Sequence, residues 1–290
     1  MRRKRLLILG AALLLFLLFA YYENNHLVVT YYEYTDEKIT DALDGFRIVQ
    51  ISDLHNASFG KNNKRLVKRI AELEPDLIVL TGDLVDSNFT NIDKAIRFVR
   101  QITPLCPVYY VTGNHELLLE EDERAELFEK LEAAGVVLLD DRAERLSVNG
   151  ESVTLIGLAE EHLEGWTLWN LTKTLDPNEL WILLAHEPQY LAGYAEEKVD
   201  LVFAGHAHGG QFRLPFVGGL VAPGQGLFPK YTEGVHREDG TSMVVSRGLG
   251  NSIVPLRLFN DPEIVVVDLK KKMLWEGEGS GDGNAEAGVY

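Results

Sequence analysis

The sequence predicts an α/β (α+β) protein: a two-sheet β-sandwich flanked by helices and preceded by one N-terminal transmembrane helix. Three observations support this prediction. Residues 6–22 form an unbroken uncharged run dominated by Leu and Phe. In the first half of the chain, short apolar strands alternate with helical segments, which is typical of parallel β-α-β units. The second half holds more strand and less helix, which favours two packed sheets over a single doubly wound sheet.

The N-terminal segment is predicted to be an uncleaved signal anchor. Residues 2–5 are basic, the 17-residue apolar run follows, and Tyr21 and Tyr22 occupy the position of an interfacial aromatic belt. The positive-inside rule leaves the basic residues in the cytoplasm, so a single-pass protein of the cell membrane would carry its folded domain on the outer face. A cleaved signal peptide has the same layout, but the residues around Ala20 match a small-x-small cleavage site poorly.

Periodicity and turn residues predict the remaining elements in order. Leu66 and Ile70 lie on one side of a helical pattern, and Asn149-Gly150 is a hairpin signal between two strands. Strands are predicted at 26–34, 46–51, 76–80, 108–111, 136–139, 143–148, 153–158, 181–184, 201–204, 243–246 and 264–269. Helices are predicted at 61–73, 91–100 and 120–134 and between the strands at 181–184 and 201–204. Loops are predicted at 160–171 and 205–234.

This order divides the chain into four regions. Residues 1–22 are the basic end and the membrane anchor, and residues 23–45 are a linker and an edge strand. Residues 46–270 form one folded domain without an internal repeat. Residues 271–290 are an acidic, Gly-rich tail that is expected to be disordered.

Charge and cysteine content exclude several classes of function. The formal charge is −16, of which residues 1–22 contribute +4 and the remainder −20. A body this acidic repels a phosphate backbone, so extended nucleic acid is excluded as a partner. The single cysteine, Cys106, excludes an intrachain disulfide, a cysteine-based zinc finger and an iron–sulfur cluster.

Polar side chains follow five of the predicted strands at the point where each strand ends. Sites in α/β sheets form at the carboxyl ends of strands, so we expect these side chains to meet. They are Asp53 and His55; Asp83; Asn114, His115 and Glu116; His186; and His206 and His208. Glycines before several of them let the backbone turn sharply. Five of the eight histidines of the chain lie at these ends.

The predicted site offers imidazole, carboxylate and amide groups but no thiolate. That set suits divalent Mn, Fe, Zn or Co, and it contains too many histidines for a Ca or Mg site. The ligands are too many for one ion, so two divalent metal ions sharing a bridging carboxylate are expected. Two neighbouring ions are a common device for hydrolysing phosphate esters.

The ordered motifs resemble those of the calcineurin-like metallophosphoesterases. The matching blocks are Asp53-x-His55, Gly82-Asp83, Gly113-Asn114-His115-Glu116, His186 and Gly205-His206-x-His208. The resemblance covers residues from about 46 to 270 and implies the αββα metallophosphatase fold. Residues 205–211 and 221–226 are similar to a membrane-anchored bacterial branch, which includes envelope phosphodiesterases and UDP-2,3-diacylglucosamine pyrophosphatase-like proteins.

The resemblance implies a role for each motif residue. The ligands would be Asp53, His55 and His208 for one ion and Asn114, His186 and His206 for the other. Asp83 would bridge the two ions, with manganese the first choice of metal. A hydroxide bridging the ions would attack phosphorus in line. His115 would contact the phosphate or protonate the leaving oxygen.

Five further residues are candidates for supporting roles. Asp86 and Glu116 could orient a ligand histidine. Arg213, Arg247 and Arg257 could bind phosphate oxygens. The alternative for each is an ordinary one: an exposed loop acid for the carboxylates and a structural ion pair for the arginines.

The expected function is hydrolysis of a phosphodiester or diphosphate bond in a lipid-linked or cell-envelope compound. The apolar loop at 212–231 could contact acyl chains, and Trp166 and Trp169 could line the substrate cleft, although core packing explains either feature as well. One alternative is a phosphomonoesterase or nucleotidase acting on a soluble substrate. The other is a metal-binding scaffold without catalysis.

Overall fold

Two mixed β-sheets with helices on their outer faces make up the body of the protein, seen here in a computed structural model that describes residues 2–214, 216–251, 256–272 and 288–289. The helices are α1 (Arg2–Asn25), α2 (Lys64–Glu72), α3 (Ile92–Ile102), α4 (Asn114–Leu117), α5 (Glu121–Ala133), α6 (Thr167–Thr172) and α7 (Leu191–Glu196). The strands are β1 (Val28–Asp36), β2 (Arg47–Ile51), β3 (Leu77–Thr81), β4 (Val108–Val111), β5 (Val136–Leu138), β6 (Arg142–Val148), β7 (Glu151–Gly157), β8 (Leu180–Leu184), β9 (Leu201–Ala204), β10 (Arg213–Leu214), β11 (Gly218–Gly219), β12 (Val221–Ala222), β13 (Gly226–Leu227), β14 (Gly234–Glu238), β15 (Thr241–Val245), β16 (Glu263–Lys271) and β17 (Gly288–Val289).

The two large sheets have different strand orders but expose their carboxyl ends at the same edge. The first sheet runs β17-β1-β16-β2-β3-β4-β5, and β2 to β5 are parallel. The second runs β14-β15-β9-β8-β7-β6, and β7, β8, β9 and β15 are parallel. Two short hairpins, β10-β11 and β12-β13, follow the second sheet's β9 in the chain.

Apolar side chains fill three layers. Between the sheets, Ile48 and Val79 of the first sheet pack with Ile182 and Phe203 of the second. Outside the first sheet, α2, α3 and α5 bury their apolar faces, as at Ile70. Outside the second sheet, α6 and α7 do the same. This helix–sheet–sheet–helix order confirms the predicted αββα sandwich.

Several elements differ from the sequence prediction. The predicted helix at 61–73 begins with a short 3₁₀ turn, Lys61–Asn63, in which Asn62 and Asn63 have left-handed φ angles. The 160–171 segment is not a loop throughout, because α6 begins at Thr167. The strand β14 was not predicted, because its sequence is polar; it pairs antiparallel with β15.

The two described ends of the chain lie outside the body of the domain or at its edge. The predicted disordered tail lies outside the described residues except for 271–272 and 288–289, and the latter form β17 beside β1. The helix α1 is long and apolar enough to cross a membrane. Within α1 only Ala20 and Glu23 are buried, so its apolar part projects away from the domain.

We predict opposite effects of alanine at two glycines. A Cβ at Gly157, the end of β7, would lie 2.3 Å from the Leu139 carbonyl oxygen, whereas a Cβ at Gly193 in α7 meets no atom within 4 Å. Gly157→Ala should lower the free energy of unfolding by about 2 kcal/mol or more, and Gly193→Ala should raise it by about 0.5 kcal/mol. Urea titration measures both, and equal effects would contradict the packing of β7 described here.

Candidate metal centre

The predicted metal-binding side chains meet where the two sheets adjoin. Loops after β2, β3 and β4 come from the first sheet, and loops after β8 and β9 come from the second. Of the seven predicted ligands, six are buried: Asp53, His55, Asp83, His186, His206 and His208. Their ligand atoms form two groups that share Asp83, and within each group the atoms lie within 4.8 Å of one another.

The first group contains Asp53, His55, Asp83 and His208. The Nε2 atoms of His55 and His208 lie 3.2 Å apart, and the Nε2 of His208 lies 3.5 Å from Oδ1 of Asp53. The Nδ1 atoms of both histidines are buried without a hydrogen-bond partner. The imidazole nitrogens thus point at one another and at carboxylate oxygens, an arrangement that suits a cation placed between them.

The second group contains Asp83, His186 and His206. The Nδ1 of His206 lies 3.2 Å from Nε2 of His186. The Oδ2 of Asp83 lies 3.3 Å from Nε2 of His186 and 3.4 Å from Nε2 of His55, so one carboxylate oxygen faces both groups. Asn114 lines the same cleft, and its Oδ1 is buried without a partner. The donor set therefore fits two divalent ions with Asp83 between them.

Strained backbone conformations aim these ligands. Asp53, His55, Asp83, His206 and His208 all have positive φ angles, between 44° and 65°. Non-glycine residues adopt this region rarely, and it recurs at functional sites. Gly82 prepares the turn before Asp83: its own φ is 85°, and a Cβ there would lie 2.5 Å from Nδ1 of His186. Only glycine lets the two sheets approach this closely.

Glu116 holds the loop that carries Asp83. Its two carboxylate oxygens accept backbone N–H bonds from Asp83, Leu84, Val85 and Gly113 at 2.8–3.2 Å. Burial raises the pKa of Glu116 to about 7, while these donors favour the ionised form. The structure thus gives this predicted supporting residue a definite contact with the loops after β3 and β4.

Electrostatics favour the metal-binding forms of most ligands. Burial lowers the pKa of His55 and His208 to about 3 and that of His206 to about 2, so these imidazoles are neutral at neutral pH. Burial alone would raise the pKa of Asp83, but the charge of His186 and the neighbouring histidines holds it below its usual range. Asp83 in turn raises the pKa of His186 against the effect of burial. A cation bound there would replace the proton on His186.

His115 lies outside both ligand groups and lines the cleft beside them. Its Nδ1 accepts a hydrogen bond from the Ser87 backbone N–H at 3.1 Å and lies 3.0 Å from the Ser87 hydroxyl. Asp86, predicted to support a ligand, instead lies 3.9 Å from this same nitrogen. With Nδ1 accepting, the ring proton is assigned to Nε2.

The three predicted arginines engage fold-internal partners. Arg213 pairs with Glu233, and Arg247 pairs with Glu263 at 3.1 Å. Arg257 is fully buried and donates to backbone carbonyl groups. The structural alternative thus accounts for their contacts, and phosphate binding by them stays a prediction.

Two carboxylates at the centre were not predicted. Oε1 of Glu187 lies 3.3 Å from Nε2 of His206, the nitrogen opposite the one in the second group. Glu160 is also close: burial raises its pKa to about 9, opposed by His186 and reinforced by Glu187. Sequence position could have indicated both, because Glu187 follows a predicted ligand and Glu160 follows β7, a strand parallel to β8.

Two segments that were predicted to contact the substrate lie in different positions relative to the cleft. The cleft of about 280 Å³ is lined by candidate ligands, by Leu118 and Pro223, and by Ser87, Asn88 and His115. The 212–231 segment, which was predicted to contact acyl chains, therefore reaches the cleft through Pro223. Trp166 and Trp169 are not among the residues that line this cleft; their rings meet edge to face, 5.7 Å apart, on an exposed surface.

We predict that Asp83 controls the binding of both metal ions. After loading with Mn and gel filtration, the wild-type chain should hold about two ions, and Asp83→Asn should hold one or none. The matched control is Asp93→Asn, which removes an exposed acid paired with Lys130 and should leave the metal content unchanged. Elemental analysis measures the metal, and retention of two ions by Asp83→Asn would contradict the shared position.

The chain is similar to several known proteins. The model of the family Calcineurin-like phosphoesterase matches residues 46–210. The uncharacterized metallophosphoesterase YkuE of Bacillus subtilis is 31% identical over 252 residues, which cover 84% of this chain and 86% of that protein. Phosphodiesterase YaeI of Escherichia coli is 27% identical over 231 residues, which cover 77% and 82%. A solved structure of a dimetal phosphatase from Danio rerio has a TM-score of 0.46 and 15% identity, covering 71% of this chain and 88% of that one.

The family match covers more than half of the chain and contains all five predicted motif blocks. The resemblance drawn from the sequence is thereby confirmed. The chain belongs to the calcineurin-like phosphoesterases and is a metal-dependent phosphoesterase.

Proposed function

We propose that this protein is a membrane-anchored, dinuclear metal-dependent phosphodiesterase that cleaves a phosphodiester or diphosphate bond. The observation that carries the proposal is the position of Asp83, whose Oδ2 faces a histidine of each ligand group at 3.3–3.4 Å. Such a shared carboxylate suits two ions acting on one phosphate group.

Each side chain of the centre has a distinct task in this proposal. One ion, manganese by preference, is held by Asp53, His55, Asp83 and His208, and the other by Asp83, Asn114, His186 and His206. When bound, the two ions neutralise charge on the phosphate and lower the pKa of water. Oε1 of Glu187 lies 3.3 Å from Nε2 of His206, so a proton on that nitrogen would face a carboxylate and leave Nδ1 for metal binding.

His115 is the proposed proton donor. Ser87 occupies Nδ1 of its ring, so the ring proton is assigned to Nε2, and the residue lines the cleft where a phosphate or a leaving oxygen would lie. The ring stands edge-on to that of His55, with 4.4 Å between centroids. This contact places the donor beside the ligands without making it one of them.

The shape of the cleft supports a diester or diphosphate over a monoester. Leu118, 68% exposed, and Pro223 line the cleft next to the ligands and offer apolar surface to a second organic group on phosphorus. The similar Escherichia coli protein YaeI is a phosphodiesterase by name, which supports the same bond type. A soluble monoester would leave this surface in water.

The proposed location is the cell membrane, with the domain outside. Three features support it: the length of α1, the exposure of its apolar side chains, and the basic residues 2–5 at its start. In this arrangement only the basic end of α1 would lie in the cytoplasm.

We expect His115→Ala to lower kcat by about 10²- to 10⁴-fold for an alkyl diester such as glycerophosphocholine, whose alkoxide leaving oxygen needs a proton. The loss should be much smaller for bis(p-nitrophenyl) phosphate, whose phenolate leaves without a proton. Metal content should stay at the wild-type level, because His115 is outside both ligand groups. The wild-type enzyme should turn over this diester faster than p-nitrophenyl phosphate.

The matched control for this change is His26→Ala, a partly exposed histidine that pairs with Asp261 at 3.2 Å. It should retain wild-type turnover. Full activity of His115→Ala on the alkyl diester would contradict the proton-donor assignment, and loss of metal from it would contradict its place outside the ligand groups. Absence of turnover of any phosphate ester by metal-loaded wild type would contradict the proposed function.

We also predict that the mature chain keeps α1 as its membrane anchor. Alkaline carbonate should leave the chain in the membrane fraction, and protease added to intact spheroplasts should degrade the domain while the membrane shields residues 2–5. Mass spectrometry of the purified chain should find its basic N-terminal residues present. A mature chain that starts near Tyr21 would show a cleaved signal peptide and contradict the anchor.

A further inference from the structure

An apolar surface borders the metal centre and has no partner within the described chain. It comprises Leu214, Phe216, Val217, Val221, Leu227 and Phe228, which we call the apolar rim. Phe216 is fully exposed, and Leu227 and Phe228 are 76% and 67% exposed. Exposed clusters of large apolar side chains mark a contact surface rather than a core.

The apolar rim belongs to the same segment as the site. Its first residue, Leu214, lies six positions after the ligand His208, and Pro223, between Val221 and Leu227, lines the metal cleft. The segment is fixed rather than free: backbone bonds of 2.9–3.1 Å join Leu220 to Phe212 and Gly210. Whatever covers the rim therefore lies next to the cleft entrance.

The end of α1 is docked on the domain beside this segment. Oδ1 of Asn24 accepts bonds from the Arg257 backbone N–H and the Asn251 amide, both at 3.0 Å. Glu23 is buried and accepts from the Asn260 N–H at 3.1 Å. Only residues 26–27 separate α1 from β1. The helix thus leaves the domain in a defined direction and not through a flexible linker.

One aromatic contact fixes the position of the domain along the axis of α1. The ring of Phe19, inside the apolar run of α1, lies 5.3 Å from that of Phe259, a domain residue that is 53% exposed. A helix of 24 residues is about 36 Å long, so Phe19 would lie near one face of a hydrocarbon core about 30 Å thick. Phe259 is then at the same depth.

Phe259 also leads directly to the apolar rim. Its neighbour Leu258 forms a β-bridge with Phe212 and accepts the Arg213 backbone N–H at 3.1 Å. Leu214 follows at once, and Phe216 lies two residues further, within about 7 Å of chain. The rim is therefore continuous with the surface that meets the membrane helix.

From this continuity we infer that the apolar rim inserts into the lipid bilayer around α1, and that the centre acts on a phosphate ester of a bilayer lipid. The inference rests on the proposed function and names its substrate class. A lipid whose acyl chains stay in the bilayer would present its phosphate at the headgroup level, where the cleft next to Pro223 opens. Partial insertion of apolar side chains is typical of proteins that lie on a membrane surface.

The depth of residue 216 in the bilayer tests directly whether the apolar rim inserts. The full chain is reconstituted in vesicles of phosphatidylethanolamine and phosphatidylglycerol, with Cys106→Ala and one new cysteine, Phe216→Cys, carrying an environment-sensitive fluorophore. Nitroxide-labelled lipids should quench the label at 216. The matched control is Leu105→Cys, an exposed apolar position before β4 and so at the opposite end of the sheet from the ligands; it should not be quenched. Equal absence of quenching at both positions would overturn the inference.

Turnover is the functional test. Phe216→Ser with Phe228→Ser should lower hydrolysis of phosphatidyl-p-nitrophenol in the same vesicles by about tenfold or more, whereas hydrolysis of soluble bis(p-nitrophenyl) phosphate stays unchanged. Leu105→Ser should change neither rate. Equal lipid turnover by the double variant and the wild type would overturn the role of the rim.

The experiments distinguish failure of the proposed phosphodiesterase function from failure of the lipid substrate class. If the wild type hydrolyses neither ester, the proposed function fails, while the quenching at 216 still decides whether the apolar rim enters the bilayer. If it hydrolyses the soluble diester but not the lipid ester, the substrate class is wrong and the proposed chemistry stands.

Discussion

The architecture depends on the placement of one carboxylate oxygen, Oδ2 of Asp83, between histidines from two different sheets. His55 follows a strand of the first sheet and His186 a strand of the second, so the sheets must meet at a fixed distance and angle. Gln50 ties them one layer below, because its amide donates to the Thr81 hydroxyl at 2.9 Å and to the Ala204 carbonyl at 2.8 Å. The Thr81 carbonyl also faces Nδ1 of His186 at 2.7 Å. The sandwich is thus locked where the ligands meet.

That placement requires unfavourable backbone conformations, and the surrounding contacts must offset them. Five predicted ligands have left-handed φ angles, each costing on the order of 1–3 kcal/mol. Glu116 compensates in part: a buried carboxylate accepting four N–H groups fixes two loops at once. Protein contacts therefore help to hold the candidate ligands in place, and a bound cation would add stabilisation.

The sequence predicted that the candidate ligands would meet because each follows a short apolar strand, and the carboxyl ends of parallel strands are adjacent in any such fold. The strands at 108–111 and 201–204 match the structure residue for residue. It missed β14, whose polar sequence carries no strand pattern, and α6, where two exposed tryptophans resemble a loop. It also missed Glu187 and Ser87, because side chains that orient a ligand or a proton donor act through angles that spacing does not encode.

Helix α1 and the candidate metal centre are joined by a path of very few contacts. Glu23 of α1 accepts the Asn260 backbone N–H, and the Asn260 side-chain amide donates to the carbonyl of the ligand His208 at 2.7 Å. A ligand tied this way to the base of the helix cannot move far relative to it. With α1 in a bilayer as proposed, folding would fix the height of the centre above it, whereas a flexible linker would let that height vary by many ångströms. Such a fixed height has a use if the scissile phosphate also lies at a fixed depth, as it does in a lipid headgroup.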